Sequence, residues 1–245
     1  EVDVQMLSGL IAGMTPAPVA GKRRAAAVVL PDRCARVSLL DFDAFPSNAL
    51  EQLSLVRFRL KRTVPFDVET AVLKFSVRSA IARDSAKGGK SVLVSVAAIA
   101  AETLAPYEAA FRQAGFHPGF VTLSSLSMAN LASPDSLIVR LSGETLSLSF
   151  FAGKEIALYR CLEVAGSGYE EIVNVLDPTL AYMEDEMKQR PAKVDLCGFG
   201  PGGGDIGAHL ESDWKLPVDL LRSRHGVVES HNAGLLGYLE GAGVN

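Results

Sequence analysis

Two turn-forming stretches hold the residue types best suited to chemistry. The first is Ser142-Gly143-Glu144-Thr145, set inside the run SLIVRLSGETLSLSFFAGKEIALYR at 136–160. Successive backbone N–H groups in such a turn form a concave donor set for phosphate oxygens, and the Thr145 hydroxyl adds one more donor. The second is GFGPGGG at 198–204, where Gly198 and Gly200 would let a purine and its ribose approach the backbone. A hairpin turn and a distant glycine turn at a strand end outline a nucleotide site. Phosphoryl chemistry also needs a divalent cation, with a carboxylate to hold it or its waters. Arg140 stands on the first strand where that acid would be expected. A guanidinium can pair with phosphate but repels Mg²⁺. Glu144 is the nearest acid, and it sits on the turn. The plain alternatives are a β-turn joining two strands and a flexible glycine connector.

Other reactive residues give weaker signals. His225 and His231 flank a loop without nearby cysteines, so a zinc site is not expected, and His117 before Pro118 reads as a turn residue. No G-x-S-x-G pattern occurs; Gly166-Ser167-Gly168 reads as the start of the following helix. Cys34, Cys161 and Cys197 are widely spaced and read as buried free thiols of a reducing compartment. Arg57, Arg59, Lys61 and Arg62 make one helix basic. A solvated face is the usual reading, and contact with anionic lipid is the alternative. At Val64-Pro65-Phe66-Asp67, Phe66 is expected in the core, with an exposed partner contact as the other reading.

The elements that must position these residues follow from periodicity and punctuation. Helices are expected at 3–14, from Ser47 as N-cap to about 62, at 99–115, 124–132, 168–190, 205–214 and 231–240. Pro178 is expected to bend the long acidic helix. Strands are expected at 25–30, 35–41, 70–78, 91–97, 120–123, through the hairpin region 136–164, at 193–197 and at 217–221. Pro/Gly-rich 15–22 reads as a connector, Lys87-Gly88-Gly89-Lys90 as a turn, and Ser133-Pro134-Asp135 as a boundary between lobes. The order is mixed α/β with antiparallel hairpins rather than a run of βαβ units.

Composition bounds the class. With 245 residues, 48% of them hydrophobic, the chain can bury a substantial core. A net charge of −4 and a pI near 5.6 argue against a nucleic-acid binder. No apolar run approaches the ~18–20 residues of a membrane span, and no secretory leader is visible. The first residue is Glu1 rather than Met, which suggests a piece of a longer protein.

Taken in order, these segments resemble the type IV pilus assembly protein PilM. AAVVLPD at 26–32, ARVSLLDFDAFP at 35–46, LVRFRLKRTVPFD at 55–67 and TAVLKFSV at 70–77 resemble its small inserted subdomain. Residues 91–132 resemble the family's next strand–helix–strand–helix segment, and Asn232-Ala233-Gly234-Leu235-Leu236-Gly237 resembles its closing helix. Residues 136–160 take the place of the second phosphate-binding hairpin, and 194–204 that of the adenosine-binding glycines. The resemblance implies an actin-like, ribonuclease H-like, two-lobed α/β fold with a PilM/FtsA-type inserted subdomain. The implied division is 1–24 as N-terminal helix and connector, 25–133 as the rest of the first lobe with the insertion, and 134–245 as the second lobe. It further implies a cytoplasmic protein, peripheral at the bacterial inner membrane, that binds the tail of a PilN-like membrane protein by groove docking or strand addition. Self-association is a further possibility.

The departures bear on activity. The family hairpin reads Asp-x-Gly, whereas this chain has Arg140-Leu141-Ser142-Gly143, and the first phosphate hairpin of the family has no counterpart here. Only one acidic helix follows the second hairpin. The chain is therefore expected to resemble non-hydrolysing modules such as the GspL cytoplasmic domain, with no catalytic or metal-ligating residue. Ser142, Gly143, Glu144, Thr145, Gly198 and Gly200 then form a candidate, vestigial nucleotide site. The alternative is an actin-like ATPase that takes ATP and magnesium.

Overall fold

The computed structural model describes residues 2–15, 24–78, 91–153, 155–166 and 168–243. All of the 15–22 connector but Thr15, the Lys87–Lys90 turn, Lys154 and Ser167 lie outside them. The chain divides into two compact units, the first ending at Thr122 and the second beginning at Leu123. That division lies ahead of the break expected at Ser133-Pro134, because the short helix after Leu123 packs within the second unit.

The first unit opens with α1 (Val4–Gly13), capped by the Asp3 carboxylate, which accepts the Met6 N–H at 2.9 Å. Its Ile11 face packs against Ala110 and Ala114 of α3 (Ala101–Gln113) and its C-cap. β1 (Arg24–Leu30) pairs with β5 (Phe116–Leu123) in a two-stranded sheet. β5 begins four residues earlier than expected and takes in His117 and Pro118, which were read as a turn. A strand with an open edge tolerates proline because one side of its backbone needs no ladder donor.

Three further strands, β2 (Arg36–Phe42), β3 (Val72–Val77) and β4 (Val92–Ile99), form an antiparallel sheet in the order β2-β4-β3. α2 (Ala49–Leu60) covers one face through Val56 and Leu60, over Phe42, Val94, Val96 and Ala98. Asn48, rather than Ser47, caps this helix: its side chain accepts the N–H groups of Leu50 and Glu51 at 2.9 and 3.3 Å. Phe66 packs against this core, as expected.

Elsewhere in the first unit, the Tyr107 hydroxyl lies 3.6 Å from the Cys34 sulfur. Burial, with a smaller contribution from Cys34, pushes the Tyr107 pKa up from 10.0 to about 12. Below pH 10 both folded and unfolded states hold the proton, so its contribution to stability is complete. Between about pH 10 and 12 only the unfolded state loses it, and stability falls. Urea unfolding across that window should decline less steeply for Tyr107→Phe than for the parent.

The second unit is built on a five-stranded sheet. β6 (Ser136–Ser142), β7 (Thr145–Ala152) and β8 (Glu155–Glu163) form an antiparallel meander. After α5 (Tyr169–Asp185), β9 (Lys193–Cys197) joins β6 in parallel, and after α6 (Gly203–Asp213), β10 (Val218–Leu220) joins β9 in parallel. The order is β10-β9-β6-β7-β8. β6 is central and buried on both faces, which is why SLIVRLS reads as a near-continuous apolar run.

One face of this sheet, with Leu137, Val139, Leu141, Leu146, Leu148 and Leu196, packs on Ile172, Leu176, Leu180 and Met183 of α5 and on Ile206 and Leu210 of α6. α5 runs on through Pro178. At its Asp177, one carboxylate oxygen meets His209 Nε2 and accepts from Trp214 Nε1, each at 2.8 Å, which ties α5 to the end of α6. The last helix, α7 (Ala233–Ala242), lies directly on α4 (Ser124–Met128). Gly234 and Gly237 make that approach possible, since a Cβ on either would stand 2.4 Å from Ser124 Oγ or 2.3 Å from the Ser127 carbonyl oxygen.

Candidate functional site

β6 and β7 meet in a two-residue turn, with Ser142 paired to Thr145 and Gly143-Glu144 between them. Gly143 has φ +58, and Glu144 is not among the positive-φ residues. A positive φ at the first central position alone suits a type II′ hairpin, whose twist matches the strands. Gly143 and Glu144 are exposed; Ser142 and Thr145 are half-buried. The Glu144 carbonyl accepts the Val164 N–H at 2.8 Å, so β8 braces the turn from the side.

Because β6 and β9 run parallel, this turn and the glycine stretch after β9 lie at the same end of one sheet. The fold thus brings together the two groups singled out by sequence. Gly198 and Gly200 differ in what surrounds them. Gly198, at φ +86, points its pro-Cβ position at the chain itself, 2.0 Å from the Leu141 carbonyl oxygen and 2.8 Å from Ser230 Cβ. Gly200, at φ +55, opens into free space, as do Gly202 and Gly204. A 3-10 turn over Gly200–Gly202 leads into α6, whose N-terminus has no side-chain cap.

Arg140 is 5% exposed. Its Nε and Nη2 donate to the Ser230 carbonyl at 3.0 and 2.5 Å. The segment that supplies Ser230 is braced internally: the Asn232 side chain accepts the Glu229 N–H at 2.8 Å and donates to the Val227 carbonyl at 3.0 Å. Along the sheet, Arg140 is in register with Ser147 on β7 and Cys197 on β9, so this row carries a hydroxyl, a guanidinium and a thiol but no carboxylate. Burial pushes the Cys197 thiol pKa up, and the Arg140 charge offsets part of that rise.

Ser230 and Asn232 escaped sequence reasoning, although a signal was present. A guanidinium between Val139 and Leu141 on a doubly covered strand must find an acceptor, because an unpaired buried cation is very costly.

Other chemistry-bearing clusters lie elsewhere on the second unit. Tyr169, Asp205, Ala208, His209, Ser212 and Asp213 line one open depression. In a second depression Lys193 bridges the buried Asp195 at 3.1 Å and Asp219 at 2.7 Å. The Lys193 hydrogen bond holds the Asp219 carboxyl below its ordinary range. Arg224 and Glu240 pair at 2.9 Å in a third. None of these three is lined by Ser142, Gly143, Glu144, Thr145, Gly198 or Gly200. Among the described residues, no group of three or more His, Cys, Asp or Glu side chains is placed to hold a metal ion. None of their helices is long and apolar enough to cross a membrane.

The arrangement of the second unit, a meander extended by two parallel strands, can be compared with known folds. A chain of the PilM–PilN type IV pilus biogenesis complex superposes with a TM-score of 0.67 at 20% identity, over 98% of this chain and 85% of that one. The fold is actin-like, of the PilM kind. The cytoplasmic domain of EpsL, an inner-membrane component of the Vibrio cholerae type II secretion system, matches with a TM-score of 0.53 at 13% identity, over 100% of this chain and 82% of that one. A Bacteroides thetaiotaomicron protein with an actin-like ATPase fold matches with a TM-score of 0.50 at 12% identity, over 89% and 78%. No protein-family model and no curated protein matches the sequence. The actin-like α/β architecture expected from the order of the motifs is therefore the one observed. The single helix α5 between β8 and β9 also agrees with the sequence reading.

Proposed function

We propose that this chain is a cytoplasmic scaffold of a type IV pilus or type II secretion-like assembly platform. It sits at the inner membrane and holds the short cytoplasmic tail of a PilN-like protein, without hydrolysing ATP. The observation that carries this reading is the PilM-like fold, matched over 98% of the chain to a protein solved in complex with PilN. Tail binding needs backbone donors and apolar pockets, not a catalytic group. The three-stranded sheet of the first unit offers strand edges for this: β2 and β3 are its outer strands, and Val72 and Val77, on opposite faces of β3, are each 44% exposed.

Arg140 supports the absence of hydrolysis. Where the resemblance expects a metal-holding acid, it places a buried cation bonded to the Ser230 carbonyl, and a guanidinium repels Mg²⁺. Calorimetric titration with a PilN-like tail peptide should give saturable binding. Val72→Glu with Val77→Glu should weaken it at least tenfold, roughly 1.4 kcal/mol. A peptide indifferent to the chain would refute the reading.

One observation favours a second reading, an ATP-binding module. Gly200, Gly202 and Gly204 leave open backbone at the uncapped N-terminus of α6, beside the hairpin turn. Helix N-termini of this kind accept anions. If ATP and magnesium bind there, saturation at about 100 Kd adds roughly 2.7 kcal/mol and raises Tm by several degrees. The scaffold reading expects no such shift.

A further inference from the structure

We propose that the outward face of α2 docks on an anionic lipid bilayer, with the Phe58 ring entering the acyl boundary and Lys61 and Arg62 at the level of the headgroups. Val56 and Leu60 are fully buried beneath the helix and fix its orientation. The 3.6-residue period then turns Phe58 directly away from that core, where it is 71% exposed. From 52 to 66 the chain carries Arg57, Arg59, Lys61 and Arg62 and no acid, although the whole molecule has a net charge of −4.

Two of these cations are engaged, yet they keep their charge. Arg59 donates to the Asp41 carbonyl at 2.9 Å, and Arg57 lies 3.9 Å from Glu69, which is 62% exposed. The latter is a solvated pair of little strength. Lys61 and Arg62 are exposed and have no ion-pair partner among the described residues. The acid of the helix, Glu51, lies in its first turn, so charge is graded along the axis and the cationic end faces an anionic surface first.

A bilayer suits this face better than an acidic polypeptide does. The ring stands on a convex helix, and the three depressions described above all belong to the second unit. A lone aromatic among cations on a ridge offers a peptide nothing to lie in, whereas a planar interface accepts the ring and the charges together. The proposal does not depend on the pilus reading, whose test uses β3 and a peptide.

The test is co-sedimentation of the whole chain with vesicles of phosphatidylglycerol and phosphatidylethanolamine, against vesicles of phosphatidylcholine alone. The anionic vesicles should bind and the zwitterionic ones should not, with binding lost at high salt. Lys61→Ala and Arg62→Ala should each weaken binding about fivefold, the equivalent of about 1 kcal/mol per cation at such a surface. Phe58→Ser should weaken it about tenfold or more. All three side chains are exposed, so the variants should melt like the parent, which circular dichroism checks. Absent binding, equal binding to phosphatidylcholine, or binding undiminished in Phe58→Ser and in Lys61→Ala/Arg62→Ala would overturn the proposal. Poly-glutamate captured in place of vesicles would also overturn it and assign the face to an acidic polypeptide.

Discussion

Gly237→Ala should destabilise the second unit by about 3 kcal/mol, the upper range for overpacking where neighbours cannot move. The added methyl would stand 2.3 Å from the Ser127 carbonyl oxygen, 2.6 Å from its carbon and 2.9 Å from Met128 Cα. All three are backbone atoms, so no rotamer change relieves the clash and α7 must lift from α4. Gly234→Ala should behave similarly, because Ser124 Cα lies at 2.6 Å. Gly204→Ala is the control: nothing lies within 4 Å of its pro-Cβ position, and alanine is the better helix former. Thermal unfolding should separate the sets by roughly 10 °C. Equal melting of Gly237→Ala and Gly204→Ala would show that the seam between the two helices is not closed.

Arg140→Met should cost a similar amount, about 3 kcal/mol, through two lost charge-assisted hydrogen bonds and an unpaired Ser230 carbonyl. Arg140→Lys should recover only part of this, since an ammonium lacks the paired Nε and Nη donors. Arg140→Asp should be worse than methionine without divalent cations, because the carboxylate would face the same carbonyl oxygen, and magnesium, which both oxygens can ligate, should recover part of the loss. Denaturant unfolding orders the three variants, and a magnesium titration of Arg140→Asp tests the last point. If Arg140→Met melted with the parent while its affinity for inorganic phosphate fell, Arg140 would be an anion ligand rather than a strut.

The local elements were legible where one buried helix face or a turn's chemistry marks them. Val56 and Leu60 place α2 on its sheet, and the Ser-Gly-Glu-Thr turn falls where β6 and β7 meet. The cap at Asn48 was misassigned because Ser47 and Asn48 are both good caps, and side-chain geometry alone decides between them. The strand through His117-Pro118-Gly119 was hidden by punctuation that an open edge tolerates. The parallel addition of β9 and β10 was not visible either, since nothing in KVDLC or the residues after it records which neighbour a strand will take.

At the candidate site, the sequence placed both turns but not their surroundings. The need for a glycine at 198 was read as room for a ligand, and the nearest atoms prove to be Leu141 and Ser230 of the same chain. Likewise, Arg140 was noticed for the acid it displaces, while its partner lies 90 residues away, beyond any local pattern.

The seating of α4 beneath α7 makes the beginning of the second unit wait for its end. A chain emerging from the ribosome can pair β6 with β7 early, but the close seat of α7 on α4 and the hydrogen bonds from Arg140 to the Ser230 carbonyl form only once residues 230–242 have been made. The unit is therefore latched by its own final segment. Shortening the chain before Ser230 would release both catches together.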